Sequence, residues 1–230
     1  MPGQRDCDDE KSYAAVKAYV AECIGTFALV FCGTGAIIIN QETGGLITHA
    51  GIAASFGLVV MVMIYALGNT SGAHLNPAVT IAFAFSGKFE RRFVFPYVIS
   101  QIFGALIASM VLKLMFPHNE MLGSTIPAGT GAQSFLMECI LGFLLMLVIF
   151  QVAHGSKEQG MFAGLAIGGV VLLEAMFAGP VSGASMNPAR SLAPAVISGN
   201  INDLWIYLTA PILGSMASVP LHNYLQNKKV

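Results

Sequence analysis

The chain has 230 residues, of which 55% are hydrophobic and only 10% are charged, and its mean hydropathy is +0.71. A soluble globular domain carries about 25% charged residues, so this composition excludes an ordinary cytosolic protein and a disordered chain. The 11 Lys and Arg nearly balance the 12 Asp and Glu, so the sequence offers no basic surface for nucleic acid. The length allows one domain or two similar halves.

Six apolar stretches are long enough to cross a bilayer, because about 20 helical residues span the hydrocarbon core. They are residues 18–39, 50–67, 94–116, 135–152, 161–180 and 204–221. Each holds at most one charged residue. The first follows an acidic start and is too long for the apolar core of a cleaved signal peptide, so we interpret it as a retained span.

Two shorter apolar pieces, residues 78–85 and 189–197, could cross only about half of a bilayer as helix. One interpretation is a surface helix or a buried loop. The other is a re-entrant half-helix. Such a segment can lie within the membrane only where it is buried in protein or lines a cavity.

Positive charges predict the orientation. With six spans, nine positively charged residues fall on the same side of the membrane. They are Arg5, Lys11, Lys17, Lys88, Arg91, Arg92, Lys157, Lys228 and Lys229. The opposite loops hold no Lys or Arg. Since cytoplasmic loops carry such an excess, the sequence predicts a multi-pass protein of the plasma or inner membrane with both termini in the cytoplasm.

An internal repeat divides the chain. Residues 71–78 (Ser-Gly-Ala-His-Leu-Asn-Pro-Ala) match residues 182–189 (Ser-Gly-Ala-Ser-Met-Asn-Pro-Ala) at six of eight positions. The halves, approximately 13–116 and 133–226 of a single transmembrane domain over 1–230, hold three spans each. Because three is odd, the second half enters the membrane inverted. Inverted repeats place their site near the midplane, on interrupted helices at matching positions, which favours the half-helix interpretation.

The shared motif comprises Asn76, Pro77 and Ala78 in the first half and Asn187, Pro188 and Ala189 in the second. Proline suits the first turn of a helix and asparagine is a strong N-cap. We therefore predict that both asparagines cap half-helices through their side-chain oxygens and keep their NH₂ groups free as donors at a midplane constriction. Two positive helix ends facing each other repel cations. A water held by both amides would also not bond readily to its two neighbours in a proton-conducting chain.

Arg190 is the only strong charge on either half-helix. A buried membrane arginine is costly and indicates function, whereas a snorkelling arginine at the interface is the alternative. Because it follows Asn187 by three residues, it lies about 5 Å further along the helix. There its donors would line a filter on the outer side and its charge would add a second barrier to cations.

These motifs, with the continuation Asn-Pro-Ala-Arg-Ser at residues 187–191, resemble the major intrinsic proteins, the aquaporin and aquaglyceroporin family. The resemblance covers approximately residues 21–224. It implies an all-α membrane fold of six tilted helices and two half-helices, usually assembled as a homotetramer with one pore per subunit.

The family's selectivity filter maps by resemblance onto Phe56, Ala175, Ala184 and Arg190. Strict water channels usually carry histidine where Ala175 stands, and Ala184 is also small, so the resemblance implies an aperture wider and less polar than a water-only pore. Glycerol facilitators typically carry aspartate where this chain has Ser191. The mixture is most similar to the nodulin-type intrinsic proteins and their bacterial relatives, which carry water, glycerol and small uncharged hydroxylated solutes, including metalloid acids.

Four other polar residues fall within or beside the spans. His74 resembles the family's pore-lining histidine, and a packed histidine that caps the loop is the alternative. For Glu22 and Glu138 the resemblance implies structural acceptors for the loops that enter the half-helices, whereas a proton relay is the other interpretation. Glu174 adjoins Ala175, but one residue is about 100° around a helix, and the sequence assigns it no role.

The remaining reactive side chains favour no other chemistry. The cysteines Cys7, Cys23, Cys32 and Cys139 have neither C-x-x-C spacing nor a disulfide pattern, and we interpret them as reduced packing residues. No pair of histidines has metal-ligand spacing, so the sequence predicts no metal and no cofactor.

The sequence therefore predicts a passive channel, in a lipid bilayer, for water and small uncharged solutes such as glycerol-like polyols, which excludes ions and protons and is not an enzyme. The alternative is a proton-coupled secondary transporter of a small neutral solute that uses Glu22, Glu138 or Glu174. An intramembrane hydrolase is the least supported hypothesis, because no nucleophile motif with a plausible base occurs.

Overall fold

The computed structural model describes residues 2–153 and 160–226, with side chains from residue 13 onward. Within this part the protein is helical. Its helices are α1 (Pro2–Glu42), α2 (Thr48–Ser71), α3 (Pro77–Phe85), α4 (Val94–Met115), α5 (Gly131–Ala153), α6 (Ala163–Ser182), α7 (Pro188–Ser198) and α8 (Leu204–Gln226), with a 3₁₀ turn (Arg91–Phe93) before α4.

Six of the helices, α1, α2, α4, α5, α6 and α8, are long and apolar enough to cross a membrane, and the predicted fold class is confirmed. Most of these helices extend beyond the predicted apolar stretches at one or both ends. Each presents large apolar side chains outward, for example Ile24, Val62, Phe103, Leu144, Leu173 and Leu213. Of the charges that predict the orientation, the side chains of Arg5, Lys11, Lys157, Lys228 and Lys229 lie outside the described residues.

The two short helices are re-entrant half-helices, and the surface-helix interpretation of residues 78–85 and 189–197 is wrong. Seven of the nine residues of α3 and seven of the eleven residues of α7 are buried. Each starts at the proline of its Asn-Pro-Ala motif, one residue earlier than the predicted apolar piece. A helix lying flat on a membrane would bury only one face.

The packing follows the inverted repeat. Helix α1 packs against α2 and α4, as α5 packs against α6 and α8. The halves join where α2 packs against α6. Each half-helix, α3 and α7, contacts both α4 and α8, which are the last spans of the two halves. The half-helices are thereby enclosed by spans from both copies of the repeat.

Glycines allow the closest helix contacts. A Cβ at Gly57 of α2 would lie 2.6 Å from the Gly168 oxygen of α6, and a Cβ at Gly168 would lie 2.6 Å from the Gly57 oxygen. Within each half, Gly104 and Gly214 lie against the backbone oxygens of Cys23 and Cys139 in the same way. Small residues permit such approach where lipid supplies no hydrophobic force between helices.

Candidate pore and selectivity filter

The two half-helices begin at their asparagines, as the sequence predicts. Asn76 has an extended backbone and its Oδ1 accepts a hydrogen bond from the Ala78 amide at 2.9 Å. Asn187 is also extended, and its Oδ1 accepts from the amides of Ala189 at 3.0 Å and Arg190 at 3.4 Å. The prediction that both asparagines are N-caps is confirmed.

The side-chain amides connect the two halves. Asn76 Nδ2 donates to the Met186 oxygen at 2.8 Å, and Asn187 Nδ2 donates to the Leu75 oxygen at 2.9 Å. The prediction that the NH₂ groups stay free is therefore wrong in part, because one hydrogen of each amide binds the loop before the opposite motif. A single hydrogen of each amide remains for a molecule in the pore. These bonds hold the two helix N-termini together, a role that sequence patterns alone do not reveal.

Glu22 organises the loop before α3. It is fully buried, and its carboxylate accepts hydrogen bonds from the Ser71 hydroxyl at 2.7 Å, the amides of His74 at 2.9 Å and Leu75 at 2.7 Å, and Gln101 Nε2 at 2.7 Å. Four donors on one carboxylate compensate for its removal from water.

Glu138 does the same in the second half. It is fully buried and accepts from the Ser182 hydroxyl and from the amides of Ser185 and Met186, each at 2.8 Å. Thus each carboxylate binds the loop that enters the half-helix of its own repeat.

Both loops have the same unusual backbone. Ala73 and Leu75 have φ values of 47° and 52°, and their equivalents Ala184 and Met186 have 43° and 56°. Residues with a Cβ rarely adopt this region, and each such position costs about 1–3 kcal/mol. The carboxylate bonds to the Leu75 and Met186 amides offset part of this strain.

A cavity of about 610 Å³ leads to the paired asparagines. Polar residues such as Asn76, Ser185 and Asn187 contribute to its lining. Apolar side chains contribute too, including Leu29, Val60, Leu145, Ile149, Ile167 and Val171. Asn76 and Asn187 both line it, as do Phe56 and Ala184. Among the described residues this is the cavity that connects the helix ends with the repeat loops.

His74 fits both of its sequence interpretations. It lines the cavity, and its ring is also packed, with centroids 4.9 Å from Phe83, 4.8 Å from Phe89 and 5.2 Å from Tyr97. Its Nδ1 lies 3.1 Å from the Thr80 hydroxyl. The packing fixes the orientation of the imidazole at the cavity wall.

Arg190 is buried in protein, with only 2% of its surface exposed, which excludes a snorkelling arginine. Its guanidinium carbon lies 5.0 Å from the centre of the Phe56 ring, and its Nη1 donates to the Gly123 oxygen at 2.8 Å. Nε has no hydrogen-bond partner among the described residues. The arginine and the aromatic residue that the resemblance pairs in one filter are therefore neighbours.

The two alanines assigned to the filter are placed differently. Ala184 lines the cavity beside Asn187. Ala175 is 6% exposed and lies one helical turn beyond Val171, which does line the cavity. Positions four apart share a helix face, so Ala175 follows the cavity-lining face of α6.

The connection between the halves supplies residues that the sequence analysis missed. Besides the Gly123 oxygen on Arg190, the Thr125 hydroxyl donates to the Ser191 hydroxyl at 2.8 Å. In α4, Gln101 binds both Glu22 and Thr80. Gly123, Thr125 and Gln101 belong to no motif. The only signal for them in the sequence is that Gln101 is a polar residue within an apolar span.

Comparison with known proteins agrees with this geometry. Residues 9–222 match the family model described as major intrinsic protein. Aquaporin NIP1-1 of Zea mays is 47% identical over 212 residues, covering 92% of this chain and 75% of the relative. Nodulin-26 of Glycine max is 43% identical over 220 residues, covering 95% of this chain and 81% of the relative.

A solved structure is also similar. The aquaglyceroporin from Plasmodium falciparum superposes with a TM-score of 0.81 at 25% sequence identity, covering 91% of this chain and 99% of the other.

Proposed function

The chain belongs to the major intrinsic protein family and is a passive channel for water and small solutes, and we propose that its pore selects uncharged hydroxylated molecules. The solutes are water, glycerol-like polyols and metalloid acids, while ions and protons are excluded. The observation that carries this proposal is the contact of the two asparagine-capped helix ends at the head of the cavity, with the Asn76 and Asn187 amides bonded across it.

Exclusion of cations follows from the charges at this point. Each helix N-terminus carries about half a positive elementary charge, and here two such ends face each other. Arg190 adds a full charge on the first turn of α7 and is held at the Phe56 ring. A cation entering from either side therefore meets positive potential in a low-dielectric environment, whereas a neutral molecule does not.

Passage of solutes larger than water follows from the small side chains. Ala175 and Ala184 stand at two of the four positions that we assign to the filter, and the bulky Phe56 and Arg190 stand at the other two. An alanine removes most of the side chain that would otherwise narrow the aperture and adds no polar atom. The likeness to a solved structure named as an aquaglyceroporin supports this choice of solute class.

The channel function is favoured over proton-coupled transport by the state of the two repeat-equivalent carboxylates. Glu22 and Glu138 are committed to the loops that hold the half-helices. A proton relay needs a carboxylate that changes partners, and protonation here would break bonds that support strained backbone. We infer that both residues are structural and that the chain has no enzymatic activity.

We further propose that the protein is a homotetramer in the plasma or inner membrane, with both termini in the cytoplasm. Orientation rests on the distribution of Lys and Arg. The outward apolar side chains of every span suit contact with lipid and with neighbouring copies. The repeat halves 13–116 and 133–226 form the inverted units of this single channel domain.

Stopped-flow measurements on proteoliposomes test the solute range. Vesicles containing the purified protein are exposed to gradients of sucrose, glycerol, urea, boric acid and arsenous acid. We expect faster water, glycerol and boric acid flux than in empty vesicles, and no uptake of sodium or protons. Water flux without any solute flux would contradict the proposed solute range.

A further inference from the structure

The carbonyl group of Met176 in α6 lacks the donor that an α-helix normally supplies. A helical carbonyl accepts a hydrogen bond from the amide N–H four residues later. For Met176 that residue is Pro180, which lies inside α6 and has no N–H. Backbone groups of a membrane-spanning helix have little water to bind instead, so an unpaired carbonyl is costly. This point of α6 therefore needs a donor from elsewhere in the chain.

His49, in the first turn of α2, supplies this donor. Its Nε2 lies 2.6 Å from the Met176 oxygen. Because a carbonyl oxygen can only accept, Nε2 carries the hydrogen. Gly179 makes room for the ring, since a Cβ at that position would lie 2.7 Å from His49 Cε1. The proline that removes a donor and the glycine that precedes it thus form the place on α6 where the imidazole binds.

The hydrogen bond from His49, the His49 contact, is one of two contacts that join α2 to α6. The other is the glycine crossing, at which Gly57 and Gly168 approach each other's backbone. As the second and fifth spans, α2 and α6 run in opposite directions. On α2, His49 precedes Gly57 by eight residues. On α6, Met176 follows Gly168 by eight. At 1.5 Å per residue, the two contacts lie about 12 Å apart on both helices.

We propose that His49 is a positioning residue whose hydrogen bond to the Met176 carbonyl holds α2 and α6 together and thereby sets the width of the filter. The proposal rests on the proposed function, because it takes Phe56 and Ala175 as filter residues. Phe56 lies one residue from the glycine crossing and Ala175 directly precedes Met176, so both lie between the two contacts. When the His49 contact is lost, the glycine crossing alone holds these helices together, and the aperture can widen.

Substitutions of His49 test this role through the size of the solutes that pass. His49→Leu removes the donor at similar volume, whereas His49→Gln keeps an N–H donor. A hydrogen bond of ordinary net strength biases the joined arrangement by about two- to tenfold. We therefore expect H49L to raise the ratio of erythritol to glycerol permeability by about threefold, and H49Q to stay near the wild-type ratio. Stopped-flow measurements on proteoliposomes give both permeabilities. His118→Leu, at another exposed histidine, is the matched control and should leave the ratio unchanged.

A substitution on α6 breaks the same bond from the other side. Gly179→Ala places a methyl group where the imidazole lies, so we expect it to displace His49 and to shift the ratio in the same direction as H49L. Gly169→Ala is the control in the same helix, because a Cβ there meets nothing within 4 Å.

Pro180→Ala shows whether His49 acts through the Met176 carbonyl. Alanine restores the N–H that this carbonyl lacks in the wild type, so the carbonyl no longer needs the histidine. We expect H49L to lower the melting temperature of the wild type and to change that of P180A much less. A histidine that acts by packing alone would lower both melting temperatures equally.

The outcomes are distinct. An unchanged polyol ratio in H49L, an equal shift in H49L and H49Q, or equal losses of melting temperature with and without Pro180 each overturn the positioning role. A lower melting temperature with an unchanged ratio would leave a structural contact only, which also overturns it. If wild-type vesicles conduct water but neither polyol, the proposed solute range fails on its own. The water permeability of H49L, which a wider filter raises, then takes the place of the ratio.

Discussion

The guanidinium carbon of Arg190 lies 5.0 Å from the centre of the Phe56 ring. This contact joins the second half-helix to α2 of the opposite repeat. With the Gly123 oxygen bound to Nη1 at 2.8 Å, the arginine is held by two other segments of the chain, α2 and the connection between the halves. A cation over an aromatic face is stabilised by the ring quadrupole, more so when it is desolvated. The positive charge is therefore fixed in place rather than free to move aside for a cation.

Replacing Arg190 tests the charge barrier. We expect Arg190→Val to raise the leakage of protons or cations severalfold, because the full positive charge on the first turn of α7 is lost. A pH-sensitive dye inside proteoliposomes under an imposed proton gradient measures the effect. Arg190→Lys is the matched control, since it keeps the charge and should leak less than the valine variant. If the valine variant is as tight as wild type, Arg190 is not a barrier.

Enlarging the two alanines tests the filter assignment. We expect the double variant Ala175→His, Ala184→Thr to reduce glycerol permeability severalfold more than water permeability, because both side chains narrow the aperture and the histidine adds a polar group. Stopped-flow traces of the same vesicles in sucrose and in glycerol give the two values. Unchanged discrimination would mean that the filter lies elsewhere.

Removing Glu138 tests its structural role. Glu138→Ala leaves the Ser182 hydroxyl and the Ser185 and Met186 amides without their acceptor, and each unsatisfied buried donor costs about 1–3 kcal/mol. We expect a marked fall in melting temperature and the loss of water permeability, measured on the detergent-purified and the reconstituted protein. Glu120→Ala, which removes an exposed carboxylate, should change neither. If Glu138 were a proton relay instead, the alanine variant would stay stable with normal water flux, and its solute transport would depend differently on the proton gradient.

Adjacent glycines in α6 offer a matched pair for the helix crossing. A Cβ at Gly168 would lie 2.6 Å from the Gly57 oxygen, whereas a Cβ at Gly169 meets nothing within 4 Å. We expect Gly168→Ala to lower the melting temperature by forcing α2 and α6 apart, and Gly169→Ala to leave it unchanged or slightly raised. Equal effects at the two positions would show that this crossing does not depend on the absence of a side chain.

The sequence predicts the helices and the repeat well because both leave local signals. Apolar length marks the spans, and Asn-Pro marks the start of each half-helix at Pro77 and Pro188. The bonds between halves leave no such signal. The bond from Asn76 Nδ2 to the Met186 oxygen forms only because two loops 110 residues apart approach each other. Either motif alone therefore predicts a free side-chain amide.

The same reason applies to the filter. The motif identifies Arg190, but its partner Gly123 lies in a connection without periodicity or repeat. Likewise the burial of Glu174 is a property of packed helices, because a lone carboxylate in an apolar span can face either a neighbouring helix or a pore. Tertiary contacts decide these positions.

Osmotic water flux through the purified protein tests the central claim most directly, namely that the joined half-helices leave an open passage for neutral molecules. In stopped-flow shrinkage of proteoliposomes we expect a high water permeability with a low activation energy, unchanged when a proton gradient is imposed or abolished. Water flux equal to that of empty vesicles, together with solute uptake that requires a proton gradient, would contradict the channel and support a transporter.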